Sequence, residues 1–568
     1  MHHDVVIIGG GPAGTTAGTL LRRYRPDLNV LIIEKERFPR QHIGESQLPL
    51  IGPVLDEMGC WDKVEAAGFP IKIGAVYRWG RDPQPWEFNF ISPEDVRDVP
   101  RPGRFEAQRR YTAFQVDRAR YDEILLRHAQ ACGCAVREAC LVSDVVYDDE
   151  HDRIVELRTR EGESITASWY IDASGAAGVI RRGANVPVTQ PSQLRNVAFW
   201  AYFDNARWAE TIGTGGTRIR IMTLPYAWLW FIPIAESRAS VGVVCHADHY
   251  KTMDLSPDAM LSKAIADEPH ISNLLSDATM QGSNVQSTRD WSFLADRVIG
   301  SNWLLAGEAA GFADPILSAG MTLAHVSARD AAYTILELER GEHDDHWLRD
   351  RYNQRTRGSI EHHIRFALYW YAANGQQTDL KEYCAELARS AGLRLNARDA
   401  FRWISQGAFS TEVVGSPSLS FFDITSLHDL TNRFRITGSE QRWMIDGCSV
   451  LKLNTHNATE SCVGDLRDGR IVKIPCLIKG KQRLPLHEFY GLAVDVLRQS
   501  SDAETVMQLA SHAIAMLFPS EHRAFAQSRF LESLEAMTIE GWIMPSRNPK
   551  RPPLRMDRSP STIRTAPD

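Results

Sequence analysis

The chain has 568 residues, more than one hydrophobic core normally serves, so two or three domains are expected. Hydrophobic residues make up 43%, enough for sizeable interiors, and the net charge of −7 favours neither nucleic acid nor an anionic membrane as partner. No apolar run reaches the roughly 18–20 residues of a membrane span.

The N-terminus enters a buried strand almost at once, Asp4 to Ile8, which leaves no room for a signal peptide. Glycines follow in Gly9-Gly10-Gly11-Pro12-Ala13-Gly14, then a helical stretch from about Ala13 to Tyr24. In this strand–turn–helix setting Gly9 permits a tight turn, Gly11 lets backbone approach a pyrophosphate, and Gly14 lets helix pack on strand. The helix start, with Pro12 and Ala13, turns N–H groups and a positive dipole toward phosphates. A second strand, Val30 to Ile33, ends at Glu34, where an acid hydrogen-bonds a ribose 2′-OH. FAD or NAD therefore fits better than NADP.

Tyr170-Ile171-Asp172-Ala173-Ser174-Gly175 and Trp303 to Ala310 are two further strands entering tight small-residue turns. The second runs through Asp314-Pro315 into a helix over 320–338. Between them, alternating apolar and polar residues over 195–250 predict an antiparallel sheet. Trp228 and Trp230 alternate on one strand and so face one side, and Ile232-Pro233 should end that strand. Beyond 345 the pattern is helical and aromatic, as in Ile364 to Tyr371. Short strands are expected over 440–485 and helices over 486–498 and 503–540, a small mixed module of winged-helix type without a basic patch. From Ser546 the chain is rich in Pro, Arg and Ser and reads as disordered. The expected organisation is an α/β core over 1–345 with a sheet inserted at about 190–290, a mostly helical and mixed region over 346–545, and a tail over 546–568. The nine cysteines read as reduced thiols of a cytoplasmic protein, and adjacent His362 and His363 do not have metal-ligand spacing.

The two small-residue turns resemble the D-A-S/T-G and G-D motifs of FAD-dependent monooxygenases of the para-hydroxybenzoate hydroxylase type. That resemblance implies a Rossmann-type FAD domain with a substrate-side antiparallel sheet. It places Asp172, Gly175, Gly307 and Glu308 on the cofactor, with Glu308 standing one methylene longer than the usual aspartate. Trp228-Leu229-Trp230-Phe231-Ile232-Pro233 resembles the W-x-W-x-I-P run of flavin-dependent halogenases, in which halide attacks the flavin hydroperoxide to give hypohalous acid. Within that family the resemblance is closest to the chloramphenicol-pathway branch, on the spacing from Lys72 to Trp79, the W-L-W-F-I-P-I run and Arg289-Asp290-Trp291-Ser292-Phe293.

The resemblance implies that Lys72 captures the hypohalous acid, by hydrogen bonding, as a haloamine, or as a general acid. Burial would lower its pKa. Trp228 and Trp230 would keep substrate from the flavin. Arg40-Gln41-His42-Ile43-Gly44-Glu45-Ser46 resembles R-x-x-x-G-E-S and would cover the cofactor through Arg40, Ile43, Gly44, Glu45 and Ser46. Asp314-Pro315-Ile316-Leu317-Ser318-Ala319-Gly320 resembles D-P-x-x-S-x-G. The amides of Ala319 and Gly320 would border chloride or bromide, Ser318 would orient the lysine or a water, and Pro315, Gly320 and Met321 would touch FAD. Leu317 stands where tryptophan halogenases carry glutamate, which argues against free tryptophan as substrate. Asp290 is the candidate for a covalent flavin link. The same resemblance implies O2, FAD reduced by a separate reductase, and a small or carrier-protein-tethered substrate. Each feature has a plain alternative: a surface lysine, core aromatics, an ordinary turn, a strand-end carboxylate. A flavin monooxygenase that hydroxylates or epoxidises is the competing function, and a flavin-binding scaffold without turnover is the third.

Overall fold

A computed structural model describes residues 2–80, 84–91, 96–208, 215–289, 291–374, 443–480, 482–520, 523–556 and 563–565. Its first sheet is built on strand His2–Ile8, which pairs in parallel with Val30–Ile33 (Val5 opposite Val30) and with Ser164–Asp172 (Val5 opposite Trp169). Strand 135–137 extends one edge and Trp303–Leu305 pairs in parallel with Ser164–Asp172, while 153–159 and 142–148 run antiparallel. Val5, Val6, Ile7 and Val30 to Ile33 are almost wholly buried, the uninterrupted apolar run of a strand covered on both faces. Each such side chain contributes about 1.5–3 kcal/mol on burial. Helices Pro12–Tyr24 and Gly320–Arg340 pack against each other on this sheet. Gly341, in the left-handed region, ends the second, its N–H bonding Glu337 O.

The second sheet has ten strands. Its main path runs 279–280, 196–204, 238–246, 228–235, 216–223, 71–78, 86–89 and 563–565. The inserted region alone does not make it, since strand Ile71–Arg78 joins in parallel with Gly216–Thr223. Trp228, Trp230 and Ile232 face the main core, and Leu229 and Phe231 face a smaller cluster under helix Pro257–Asp267. Contrary to expectation, strand Trp228–Ala235 continues through Pro233. Its pairing with 216–223 stops at Phe231, so Pro233 lies where the strand is paired on the Arg238–His246 side alone, the edge-like setting in which proline is tolerated.

Helix Asp345–Asn374 belongs to the first core, where it buries Tyr352, Ile360, Phe366, Trp370 and Tyr371, so that core extends past residue 345. Residues 443–556 form their own cluster from a three-stranded sheet, a two-stranded pair and helices 488–499, 503–517 and 523–539. The single helix expected over 503–540 is two. The hairpin of this unit grips helix Gly320–Arg340: Ile471 N–H donates to Glu337 Oε1 (3.0 Å) and Arg340 to Gly469 O (2.6 Å). The expected disordered tail is partly ordered, with Leu554 N–H bonded to Cys448 O and 563–565 pairing with Trp86–Phe88. Among the described residues no helix is long and apolar enough to cross a membrane, and no group of His, Cys, Asp and Glu is disposed to hold a metal.

Candidate active site

A cavity of about 860 Å³ runs between the two sheets, from the glycine turn to the tryptophan pair. Its first wall is mostly backbone. Gly9, Gly11, Pro12 and Ala13 line it, with Ala173 to Ala177 from the second turn and Gly307 and Glu308 from the third. Gly9 has φ +110°, and a Cβ there would lie 2.2 Å from Ala173 O, so the two turns touch only through glycine. Glu34 lines the cavity at the strand end, its oxygens accepting the N–H groups of Gly10 (2.8 Å) and Glu36 (2.9 Å). Asp172 lies outside the lining. Its buried carboxylate accepts bonds from Ser174, Ile180 and Arg181 and so shapes the turn that lines the cavity.

The segment Arg40 to Ser46 forms a flank of the cavity. Arg118 holds it by donating to Ile43 O (2.8 Å) and Gly44 O (3.2 Å), and is itself fixed by a two-pronged contact with Asp122 (2.8 Å each). Arg40 Nη1 lies 3.1 Å from Asp122 Oδ2 without hydrogen-bond alignment, leaving a buried donor unspent beside the glycine turn. Glu45 accepts from Tyr202 Oη (2.9 Å), and burial raises its pKa. Ser46 Oγ is buried without a partner. Arg118 and Tyr202 were missed from sequence. For Arg118 the i,i+4 spacing to Asp122, on what the structure shows as helix Arg118–Ala131, was the available signal.

These groups fit FAD. The helix start and Arg40 would face a pyrophosphate, Glu34 a ribose, and Glu308 would offer an acceptor near Gly175 and Gly320. A Cβ on either glycine would lie 3.9 Å from a Glu308 oxygen. Burial raises the Glu308 pKa, against the pull of Arg118. Pro315, Ser318, Gly320 and Met321 also line the cavity, whereas Ala319 is fully buried behind it. Ser318 is left-handed (φ +56°) and Ala319 right-handed (φ −81°), an alternation that turns successive N–H groups to one side, as anion nests do. Asp290 lies outside the described residues.

The opposite wall is side chains. Trp228 and Trp230 line it with Trp200, Trp291, Ile219 and Ile221. Their indoles are 6.0 Å apart; Trp228 donates to Tyr371 Oη (2.8 Å) and Trp230 to Ser240 Oγ (3.1 Å). Gly242 makes room for Trp230, since a Cβ there would sit 2.3 Å from its ring. Lys72 is not in the lining. It is 2% exposed on strand Ile71–Arg78. Counting by twos from Tyr77 and Ala75, which pair with Ile221 and Ile219 on the tryptophan face, would send Lys72 to the other face. A bulge intervenes: Thr217 pairs with Lys72 and Arg218 with Gly74, skipping Ile73. Lys72 thereby joins the tryptophan face, its ammonium 5.5 Å from the Phe90 ring centroid. Burial pushes its pKa down to about 7.

The profile of the tryptophan halogenase family matches residues 4–109 and 94–402. The chain belongs to that family. Among similar proteins of the family, a tryptophan 2-halogenase of Chondromyces crocatus is 32% identical over 373 residues, 64% of this chain and 66% of the relative. A 1H-pyrrole-2-carbonyl-[peptidyl-carrier protein] chlorinase of Pseudomonas fluorescens is 31% identical over 385 residues, 66% of this chain and 84% of the relative. The solved structure of CmlS, a flavin-dependent halogenase, superposes with a TM-score of 0.71 at 25% identity, covering 98% of each chain. The family and the mixed α/β architecture with a helical C-terminal region agree with the expectation from sequence. FAD is the cofactor of such flavin-dependent halogenases.

Proposed function

We propose that this tryptophan halogenase family member halogenates a natural-product intermediate, using reduced FAD from a separate reductase, O2 and chloride or bromide. The observation that carries the reading is the bulge at Ile73. By register, buried Lys72 falls opposite Thr217 in the sheet that carries Trp228 and Trp230, and those tryptophans line one cavity with the glycine turn. Reduced FAD, when bound, supplies the two electrons that convert O2 and halide to hypohalous acid and water. The turn 318–320 holds halide through backbone N–H groups, without a cation that would blunt its nucleophilicity. Trp228 and Trp230 bar substrate from reaching the cofactor. Lys72 intercepts the hypohalous acid. With a pKa of about 7 it is present both as an amine, able to take up the halogen, and as an ammonium, able to polarise it.

The substrate class is an electron-rich aromatic or an activated acyl carbon. The carrier-bound pyrrole in the Pseudomonas relative's name supports testing tethered acyl substrates. The test is mass spectrometry of products from purified protein given FAD, a reductase, NADH, O2, halide and free or carrier-bound phenols, pyrroles and activated methylenes. A halogen isotope pattern that vanishes in Lys72→Ala, with FAD content intact, is the expected result. A +16 shift independent of Lys72 would reassign the enzyme to hydroxylation.

A further inference from the structure

Four buried side chains tie the tryptophan strand to the turn that begins at Asp314. Trp228 Nε1–H donates to the Tyr371 hydroxyl (2.8 Å), and that hydroxyl donates to Asp314 Oδ1 (3.0 Å). The Asn196 amide donates to Asp314 Oδ2 (3.2 Å) and to Tyr371 Oη (3.3 Å). Asp314 Oδ1 also accepts the Ile316 N–H (3.0 Å), capping the short 3-10 turn Pro315–Leu317. Trp228, Tyr371, Asp314 and Asn196 are each at most 2% exposed. They come from four parts of the fold: strand 196–204, strand 228–235, helix 345–374 and the turn itself.

That turn carries strain. Ser318 is a non-glycine residue at φ +56°, a conformation that persists where surroundings over-determine it. Asp314 is its local anchor, and Tyr371 joins that anchor to Trp228. We propose that Tyr371 is a positioning residue for halide: through Asp314 it fixes the turn 315–320, and through Trp228 it makes that turn and the tryptophan wall one unit. Tyr371 touches neither halide nor substrate. The proposal rests on the halogenase reading, in which residues 318–320 border the halide.

Tyr371→Phe keeps the ring and removes the hydroxyl from its bonds to Trp228, Asp314 and Asn196. In FAD-loaded protein, chloride and bromide are titrated against the absorbance of the bound flavin, and halide KM and kcat are measured separately. The expected result is unchanged FAD content, halide affinity about tenfold weaker, as for the loss of ordinary hydrogen bonds, and kcat at saturating halide little altered. Trp228→Phe should weaken halide binding in the same sense by about threefold. The double variant should match Tyr371→Phe alone, because the Trp228 bond ends on the hydroxyl already removed. Unchanged halide affinity in Tyr371→Phe overturns the proposal, as do losses that multiply in the double variant. Loss of FAD in step with halide also overturns it and makes Tyr371 a packing residue. Wild type that binds halide in this Tyr371-dependent way, yet yields no halogenated product, would sink the halogenase reading and leave the coupling standing. Wild type whose bound flavin does not respond to halide ends both.

Discussion

The two walls of the cavity are made of different material. The dinucleotide wall is backbone, in which turns touch through glycines and helix ends supply the polar groups. The tryptophan wall is side chains, placed by strand pairing and held in part by the bond that Trp228 donates to Tyr371, on a helix 143 residues away in sequence. A backbone wall depends on local conformation and has little room to relax. A side-chain wall depends on register and can repack. Perturbing each at a glycine separates them. Gly14→Ala puts a Cβ 1.9 Å from Gly9 O, a backbone atom that cannot move without opening the turn. We expect a loss of at least about 3 kcal/mol and protein recovered without FAD, read by flavin absorbance after purification. Normal flavin content would remove the glycine turn from the cofactor site. Gly242→Ala meets the far edge of the Trp230 ring instead. It should cost about 1–3 kcal/mol, shift tryptophan fluorescence and leave FAD bound.

This contrast explains what could be read from sequence. The glycine fingerprint, the acid at Glu34 and the small-residue turns are short-range patterns, and the structure places their segments around one cavity. Asp172 shows the limit even there. Its position in the motif was evident, but its side chain turns back onto its own helix start. On the other wall, the tryptophan alternation was legible because period two is local, and the strand's passage through Pro233 was not, because it depends on where a neighbouring strand stops. The bulge at Ile73 was invisible for the same reason: it exists only in the pairing of 71–78 with 216–223. Tyr371 and Asn196 carried no signal, since their partners lie far off in sequence.

Behind the side-chain wall, the second sheet holds a buried titratable group. Lys72 is buried with a native pKa of about 7, against 10.5 when solvated. Between those values the unfolded chain binds a proton that the native chain does not, so this lysine's contribution to stability rises with pH across the window. Its penalty is fully present below pH 7 and gone above 10.5. Lys72→Met should therefore be more stable than wild type at pH 7, by a few kcal/mol at about 1.4 kcal/mol per pKa unit. The gap should close as the pH approaches 10. Thermal unfolding of both proteins across that range measures it, and a gap that stays constant with pH would mean that Lys72 is solvated. Lys72→Arg keeps the charge at every pH, so an inactive arginine variant points to the amine form as the one that takes the halogen.

The smallest effect is expected where a side chain intrudes on the backbone wall. Glu308 projects a carboxylate between Gly175 and Gly320, and among the described residues no protein group donates a hydrogen bond to it. Both neighbours lack a Cβ, which leaves the longer acid space that aspartate would not need. If its oxygens accept ribityl hydroxyls, Glu308→Asp draws them back by one methylene and lengthens those bonds without removing the charge. FAD should then bind about threefold to tenfold more weakly, within the range of one ordinary hydrogen bond. Glu308→Gln, with the reach preserved, should fall between this variant and wild type. Flavin titration of apo-protein decides it. Unchanged affinity in Glu308→Asp would mean that the extra methylene does not serve the cofactor. The carboxylate's nearness to Gly320 would then be left to explain its length through the halide turn.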